Sequence, residues 1–200
     1  MEAFFYALFP ALTCHFLLDE GEMQSRIVSA LTSLTIIANL EDLDLTLSIY
    51  LIYLAQDTLR HRLTFDIALH HAIACLLVLI GLNAELFFEA EDVVRVRRIC
   101  IHLLSMEVTT PVLHAAWIFR ELNQSFLSVT GLIVLIAMWP YFRIVNSLYA
   151  LAVWYTFSSV TLFINAVIFV LIGATAVLQT WWFFKLCSTL HSAVIKMALK

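Results

Sequence analysis

Ionisable side chains inside a strongly apolar segment are the first chemical feature of this sequence. In FDIALHHAIACLLVLIGL (residues 65–82), Asp66, His70 and His71 occupy the first half of a segment long enough to cross a bilayer. A charge at the centre of a membrane helix costs about 2.5–3.5 kcal/mol, so these residues should face protein. Asp66 lies one turn before His70 and can orient its imidazole, whereas His71 is rotated by about 100°. We predict that one histidine enters a cavity and the other bonds to a neighbouring helix.

A second polar group lies in SMEVTTPVLHAAW (residues 105–117), which also contains Thr110. Glu107, Pro111 and His114 recur at spacings of four and three, which places them on one helix face. Because proline has no N–H to donate four residues back, we predict a bend that leaves the Glu107 carbonyl free. Irregular backbone at membrane depth is tolerated where it is buried in protein or lines a cavity. The Glu107 carboxylate and carbonyl are therefore candidate ligand contacts.

The same arrangement recurs in MWPYFRIVNSLY (residues 138–149), where Pro140 frees a carbonyl in the preceding turn. Arg143 and Asn146 share a helix face at a spacing of three. We predict that Arg143 pairs with Glu107 across the interface between their helices. The alternative is that Arg143 extends towards the membrane surface and meets no carboxylate.

These residues, with Asp57 at the end of the preceding apolar run, are compatible with three kinds of chemistry. A metal site needs at least three converging ligands, which one of the paired histidines, Glu107 and His114 can supply. Their spacing matches no recognised metal motif, and we predict no metal. The second kind is a histidine acting as general base or nucleophile, because imidazole is suited to proton transfer near neutral pH. The third is hydrogen bonding between helices without a ligand.

The elements that position these residues are predicted to be membrane-spanning helices. Hydrophobic residues make up 62% of the 200 residues and charged residues 13%, with a mean hydropathy of +0.94. A soluble domain of this size cannot bury so much apolar surface, so we predict an all-α integral membrane protein. The apolar runs between charged clusters predict spans at residues 3–18, 27–40, 45–57, 65–83, 99–119, 127–149 and 160–184.

The segments between and within the spans carry further signals. NLEDLD (39–44) predicts a tight turn at the membrane face, and the acids from Glu85 to Asp92 predict a charged loop. Gly81, Gly131 and Gly173 predict positions where helices approach each other closely.

The distribution of basic residues predicts the orientation of the chain. The net charge is −4 and basic runs are absent, so a nucleic-acid partner is not expected. Cytoplasmic loops of membrane proteins are enriched in Arg and Lys, which predicts a cytoplasmic C-terminus. One face then receives Arg26, Arg60, Arg62, Arg120, Lys185, Lys196 and Lys200, and the other receives Arg95, Arg97 and Arg98.

Taken in order, five segments resemble the TLC-domain family, the membrane domain shared by ceramide synthases, TRAM-type translocon-associated proteins and several small lipid proteins. They are SRIVSALTSL (25–34), YLIYLAQD (50–57), LHHAIA (69–74), SMEVTTPVLHAAWIFREL (105–122) and YFRIVNSL (141–148). The chain is most similar to the small TLC-domain-containing proteins. The resemblance implies a six-helix bundle around a lipid-accessible cavity, with one transmembrane helix before it.

The resemblance also implies a division of the chain and a set of cavity residues. Residues 1–24 would form the first helix and a loop, residues 25–187 the TLC domain, and residues 188–200 a cytoplasmic tail. Ceramide synthases follow their paired histidines with a second His-Asp and a further Asp, whereas residues 72–99 here contain no histidine. Cavity roles fall on Asp57, His70, His71, Glu107 and Arg143, and the patterns described above add Asp66, Thr110, His114 and Asn146.

We therefore expect a protein that is not an enzyme and needs no cofactor. It would bind a lipid or acyl chain in an intramembrane cavity and act in membrane lipid homeostasis, sensing or trafficking. The alternative is a ceramide-synthase-like N-acyltransferase, in which His70 or His71 and acyl-CoA would acylate a sphingoid base or another lipid amine. A transporter or receptor shares the span count, but the polar pathway or long loops typical of one are missing. The expected partners are membrane lipids, a homo-oligomer is compatible with the sequence, and the endoplasmic reticulum or another endomembrane is the expected location.

Overall fold

A computed structural model of the chain describes residues 22–60, 64–156 and 162–199. Within these ranges the secondary structure is helical and contains no strand, which confirms the predicted all-α class. The span expected at residues 3–18 lies outside the described residues.

The described residues form nine α-helices, and two pairs of these helices are joined directly by short helical segments of another type. A 3₁₀ segment, Ser105–Thr109, joins α5 to α6, and a π-helical segment, Pro140–Val145, joins α7 to α8. The helices are α1 (Glu22–Ala38), α2 (Leu43–Arg60), α3 (Phe65–Leu82), α4 (Ala84–Phe87), α5 (Ala90–Leu104), α6 (Thr110–Glu121), α7 (Ser125–Trp139), α8 (Asn146–Tyr155) and α9 (Leu162–Ala198).

Helix length and hydropathy confirm a multi-pass membrane protein. Four helical units of the described chain are long and apolar enough to cross a membrane: Phe65–Leu82, Ala90–Glu121, Ser125–Tyr155 and Phe163–Ala198. The second and third runs identified in the sequence form shorter apolar helices, Arg26–Ala38 and Leu43–Ala55. Helix α9 continues without a break through residues 188–198, the segment expected to be a tail.

The predicted charged loop between the fourth and fifth runs is wrong, because most of this segment is helical. Helix α4 begins at Ala84 and α5 at Ala90. Apolar side chains at helical spacing, Val96 and Ile99, are buried in the core, while the acidic first turn of α5 suits the positive end of the helix dipole. The segment is an amphipathic helix, and it extends the fifth span towards its N-terminus.

Helices of the described chain pack as a closed ring. Around it, α1 is followed by α2, α3, α9, the α7–α8 unit and the α5–α6 unit, and α6 returns to pack against α1. Contacts at the two ends agree with helices that alternate in direction: Arg97 lies 3.2 Å from Asp44 at one end, and Lys185 lies 2.8 Å from Asp66 at the other. The ring places the middle of each helix around a common interior.

Two of the three glycines predicted to lie at close helix contacts do so. A Cβ added at Gly81 would lie 2.7 Å from Cys100 Sγ, and one at Gly131 would lie 2.9 Å from Ala116 Cβ. The third prediction is wrong, because a Cβ at Gly173 would meet nothing within 4 Å. The predicted turn at residues 39–44 is confirmed, with the Asp42 carboxylate accepting the Leu45 N–H at 3.2 Å.

Candidate functional site

A partly open cavity lies inside the ring, and the empty space of the cavity and its mouth together is about 500 Å³. Helices α2, α3, α5 and α9 and the two irregular segments all contribute to its wall. Most of the wall is apolar, formed by Leu47, Ala74, Leu77, Val78, Cys100, Leu103, Leu104 and Met106. The polar part of the wall is formed by Tyr50, His70, Glu107, Arg143 and Thr175.

The Glu107 carboxylate is the most heavily hydrogen-bonded group of the polar wall. It is only 6% exposed and accepts hydrogen bonds from Ser33 at 3.0 Å, Tyr50 at 3.1 Å and Thr110 at 2.8 Å. These donors come from α1, α2 and α6. A buried carboxylate is stable when its oxygens are satisfied in this way, so Glu107 also ties three helices together.

Arg143 lies on the opposite side of Thr110 from Glu107. Its Nε donates to Thr109 at 2.6 Å and one terminal nitrogen donates to Thr110 at 2.7 Å. The other terminal nitrogen donates to Gln179 of α9 at 3.4 Å, and the guanidinium lies 4.6 Å from the centre of the Trp139 ring. Arg143 is thus buried and bonded, and does not extend towards the membrane surface.

The predicted direct ion pair between Glu107 and Arg143 is wrong. The Thr110 hydroxyl stands between the two charges, since it donates to Glu107 and accepts from Arg143. One hydroxyl has a single hydrogen to donate and lone pairs to accept with, so it can make both bonds at once. The two charges are therefore coupled through a threonine.

Pro111 and Pro140 each lie at an irregularity of the backbone, and these irregularities orient the charged residues. Pro111 is in the first turn of α6, directly after the 3₁₀ segment that carries Glu107. The Glu107 carbonyl is not free as predicted, because it accepts the Thr110 backbone N–H. Pro140 begins the π-helical segment that carries Arg143. Single π turns inside α-helices are frequent at functional sites.

The paired histidines divide their roles as predicted. His70 lines the cavity, and its ring centre lies 5.1 Å from the Trp182 ring. His71 is buried against α2, where Nδ1 is hydrogen-bonded to Thr58 at 2.9 Å and Nε2 lies 3.5 Å from the Asp57 carboxylate. Only His70 is placed to meet a molecule in the cavity.

Asp66 does not orient His70, contrary to the prediction. Its carboxylate instead accepts hydrogen bonds from Trp182 at 2.9 Å and Lys185 at 2.8 Å, which connects the start of α3 to α9. Trp182 is also the ring that meets His70. Asp66 is therefore connected to His70 indirectly, through Trp182, whose ring nitrogen donates to the Asp66 carboxylate.

The remaining candidates lie beside the cavity and not in its wall. His114 is buried, and its Nδ1 has no hydrogen-bond partner in the described part of the chain. Asn146 donates to Ser105 at 2.7 Å and so connects α8 to the 3₁₀ segment. Across the described ranges, no group of three His, Cys, Asp or Glu side chains is arranged to hold a metal ion.

The sequence reasoning missed three residues of this network: Ser33, Tyr50 and Gln179. Each is buried. Ser29 and Ser33 are four residues apart in an apolar helix, and this polar stripe is a signal that could have identified α1 as a partner. Gln179 carries an amide inside the apolar last span, and an uncharged side chain there is a weaker signal than a charge or an imidazole.

The arrangement combines an apolar wall with a polar end. Tyr50, His70, Glu107 and Arg143 provide hydrogen-bond donors and acceptors on one side of the cavity. The rest of the wall provides hydrocarbon surface. A molecule with a hydrocarbon chain and a small polar group is complementary to such a cavity.

Neither curated proteins nor solved structures give a significant match to the chain. The family model of the TLC domain matches residues 45–188, which is most of the chain and includes every cavity-lining residue. The match confirms the predicted family and contains four of the five sequence segments, whereas SRIVSALTSL (25–34) lies before the matched range. The chain therefore belongs to the TLC-domain family and is a membrane protein of this lipid-related family.

Proposed function

We propose that this protein binds a lipid or an acyl chain in the central cavity and acts in membrane lipid homeostasis, sensing or trafficking. The observation that carries the proposal is the apolar cavity wall that ends at Glu107 and Arg143. Small-molecule sites are typically lined by apolar side chains with a few placed polar groups, and this wall has that composition. A single hydrocarbon chain with a polar group matches this chemistry.

The polar end is where selectivity should arise. A hydrocarbon chain gains little by leaving the bilayer for an apolar cavity, because lipid tails are as apolar as the wall. The binding free energy that favours one lipid over another must therefore come from hydrogen bonds and charge. These are provided by Tyr50, His70, Glu107 and Arg143. We therefore expect head-group chemistry, more than chain length, to decide which lipid remains bound.

Lipid analysis of the purified full chain tests the proposal. Ala74 lines the cavity, whereas Ala72, two residues earlier on the same helix, is exposed on the outer surface. Ala74→Phe should fill the cavity and remove the lipid that co-purifies in detergent, as measured by mass spectrometry. Ala72→Phe is the matched control and should retain it. If the unmodified protein carries no lipid, or if both variants retain it equally, the proposal fails.

A ceramide-synthase-like acyltransferase is the second candidate, and the position of His70 favours it. As a base at the polar end, His70 would accept the amine proton while the amine nitrogen attacks an acyl-CoA thioester. The new C–N bond forms, the C–S bond breaks and the CoA thiolate leaves. Incubation with acyl-CoA and a sphingoid base should then give an amide that His70→Ala loses. An acyl adduct on His70 would also support this candidate over a binding protein.

We also propose that the C-terminus is cytoplasmic, in the endoplasmic reticulum or another endomembrane. The order of the helices supports this, because Arg26, Arg120, Lys185 and Lys196 come to one end of the ring and Arg97 to the other. An epitope added after the last residue should be digested by protease in sealed microsomes without detergent. Protection of that epitope would reverse the orientation.

A further inference from the structure

A second opening lies at the end of the ring where Arg120 and Lys185 are found. It is a groove between α6, α7 and the C-terminal part of α9, and the empty space of the groove and its open mouth together is about 1460 Å³. None of its lining residues belongs to the central cavity. The groove is therefore a separate surface, which the proposed function does not use.

Positive charge is concentrated in this groove. Arg120 and Lys196 both line it, and the guanidinium carbons of Arg26 and Arg120 lie 5.2 Å and 5.7 Å from the centre of the Trp117 ring. Glu121 pairs with Arg120 at 3.2 Å, but both side chains are well exposed, and such pairs are weak. Helix α7 begins in the groove at Ser125, so its N-terminal dipole adds to the positive potential.

The same groove carries a strip of apolar side chains. Leu113, Val129 and Leu132 line it on α6 and α7, and Leu186 and Met197 line it on α9. Helix α9 has 37 residues, a length of about 55 Å at the α-helical rise. The hydrocarbon core of a bilayer is about 30 Å thick, so α9 continues past the core and into the head-group layer.

We propose that this groove binds an anionic glycerophospholipid. The phosphate lies between Arg120 and Lys196, and an acyl chain follows the apolar strip that starts at Leu113. Charge complementarity selects the anionic head group, and the apolar strip selects a lipid over a free phosphate. The site would hold the end of α9 against α6 and α7 through a lipid of the surrounding leaflet.

Lipid retention in mixed micelles tests the proposal. The full chain is purified in detergent with phosphatidylglycerol or phosphatidylcholine, washed, and analysed for bound lipid by mass spectrometry. Phosphatidylglycerol should be retained at least about tenfold better, since the contributions of two basic side chains near an anionic lipid together exceed that factor. Arg120→Gln with Lys196→Gln should reduce its retention to the level of phosphatidylcholine. Both side chains are exposed, so the fold should be preserved.

Two controls separate this groove from other sources of binding. Arg95→Gln with Arg98→Gln removes the same net charge outside the groove and should retain phosphatidylglycerol. Ala74→Phe blocks only the central cavity, so it should leave the preference for phosphatidylglycerol unchanged even if the central cavity proves to bind nothing. Loss of the preference in either control would overturn the proposal, as would equal retention of the two lipids. Binding of glycerol phosphate as strong as that of the intact lipid would also overturn it.

Discussion

At the residue scale, a threonine hydroxyl connects the two buried charges of the cavity. Thr110 donates to Glu107 at 2.8 Å and accepts from Arg143 at 2.7 Å. Each charge therefore keeps a short hydrogen bond without direct contact between carboxylate and guanidinium. Removing one member of a buried charged network leaves its hydrogen-bond partners unsatisfied, which lowers the free energy of unfolding.

Thr110→Val should destabilise the protein strongly, although it only replaces a hydroxyl group by a methyl group. Both Glu107 and Arg143 would lose a hydrogen bond, at a cost of about 1–3 kcal/mol or more. Thermal unfolding in detergent measures the effect, and Thr110→Ser should restore most of the stability. The matched control is Thr130→Val, because Thr130 is exposed and its hydroxyl donates to the Phe126 carbonyl of its own helix.

Coupling between the two charges should also depend on this hydroxyl. A double-mutant cycle of Glu107→Gln and Arg143→Gln should give an interaction of about 0.5–3 kcal/mol. The same cycle in a Thr110→Val background should give a smaller value. Additive losses in the original background would mean that the threonine does not couple these residues.

At the element scale, irregular helix segments aim the charged side chains into the interior. Glu107 lies on the 3₁₀ segment and Arg143 on the π-helical segment. A π turn holds one more residue than an α turn, so removing it would rotate the following residues by about 100°. Pro111 and Pro140 differ in position, since Pro111 follows the 3₁₀ segment in the first turn of α6 and Pro140 begins the π-helical segment.

Pro140→Ala should lower both lipid retention and thermal stability. Alanine restores a backbone donor and allows the segment to become a regular α-helix, which would turn Arg143 away from Thr109 and Thr110. Pro111→Ala is the matched control and should have a small effect, because proline is tolerated in a first helical turn. Equal behaviour of the two variants in lipid analysis and thermal unfolding would contradict this role for the π segment.

At the scale of the whole molecule, close helix approach closes the ring. A Cβ at Gly131 would lie 2.9 Å from Ala116 Cβ and 3.2 Å from Ala116 Cα. Backbone on the facing helix cannot move aside as easily as a flexible side chain. The interface between α6 and α7 therefore depends on a small residue at position 131.

Gly131→Ala should destabilise the protein by about 1–3 kcal/mol, the usual cost of overpacking. Gly173→Ala is the control, because a Cβ there meets nothing within 4 Å. It should be neutral or stabilise the helix by up to about 1 kcal/mol. Melting temperatures of the two variants in the same detergent provide the comparison, and a Gly131→Ala variant as stable as the unmodified chain would contradict tight packing of α6 on α7.

The sequence by itself determined the class of the protein and most of the candidate site. Apolar runs identify membrane helices because the bilayer penalises every exposed polar group. For the same reason, Glu107, Arg143 and the paired histidines could be recognised as inward-facing residues. The order of the five segments predicted the TLC-domain family, which the match over residues 45–188 confirms.

Only the tertiary structure decided how these residues meet. Hydrogen-bond partners come from helices distant in sequence, as when Ser33 and Tyr50 converge on Glu107, and spacing along one helix carries no information about them. The choice between His70 and His71 likewise depends on which helix packs beside each face of α3. Asp66 was misassigned because a carboxylate bonds to the donors that packing brings within reach, and here these are Trp182 and Lys185.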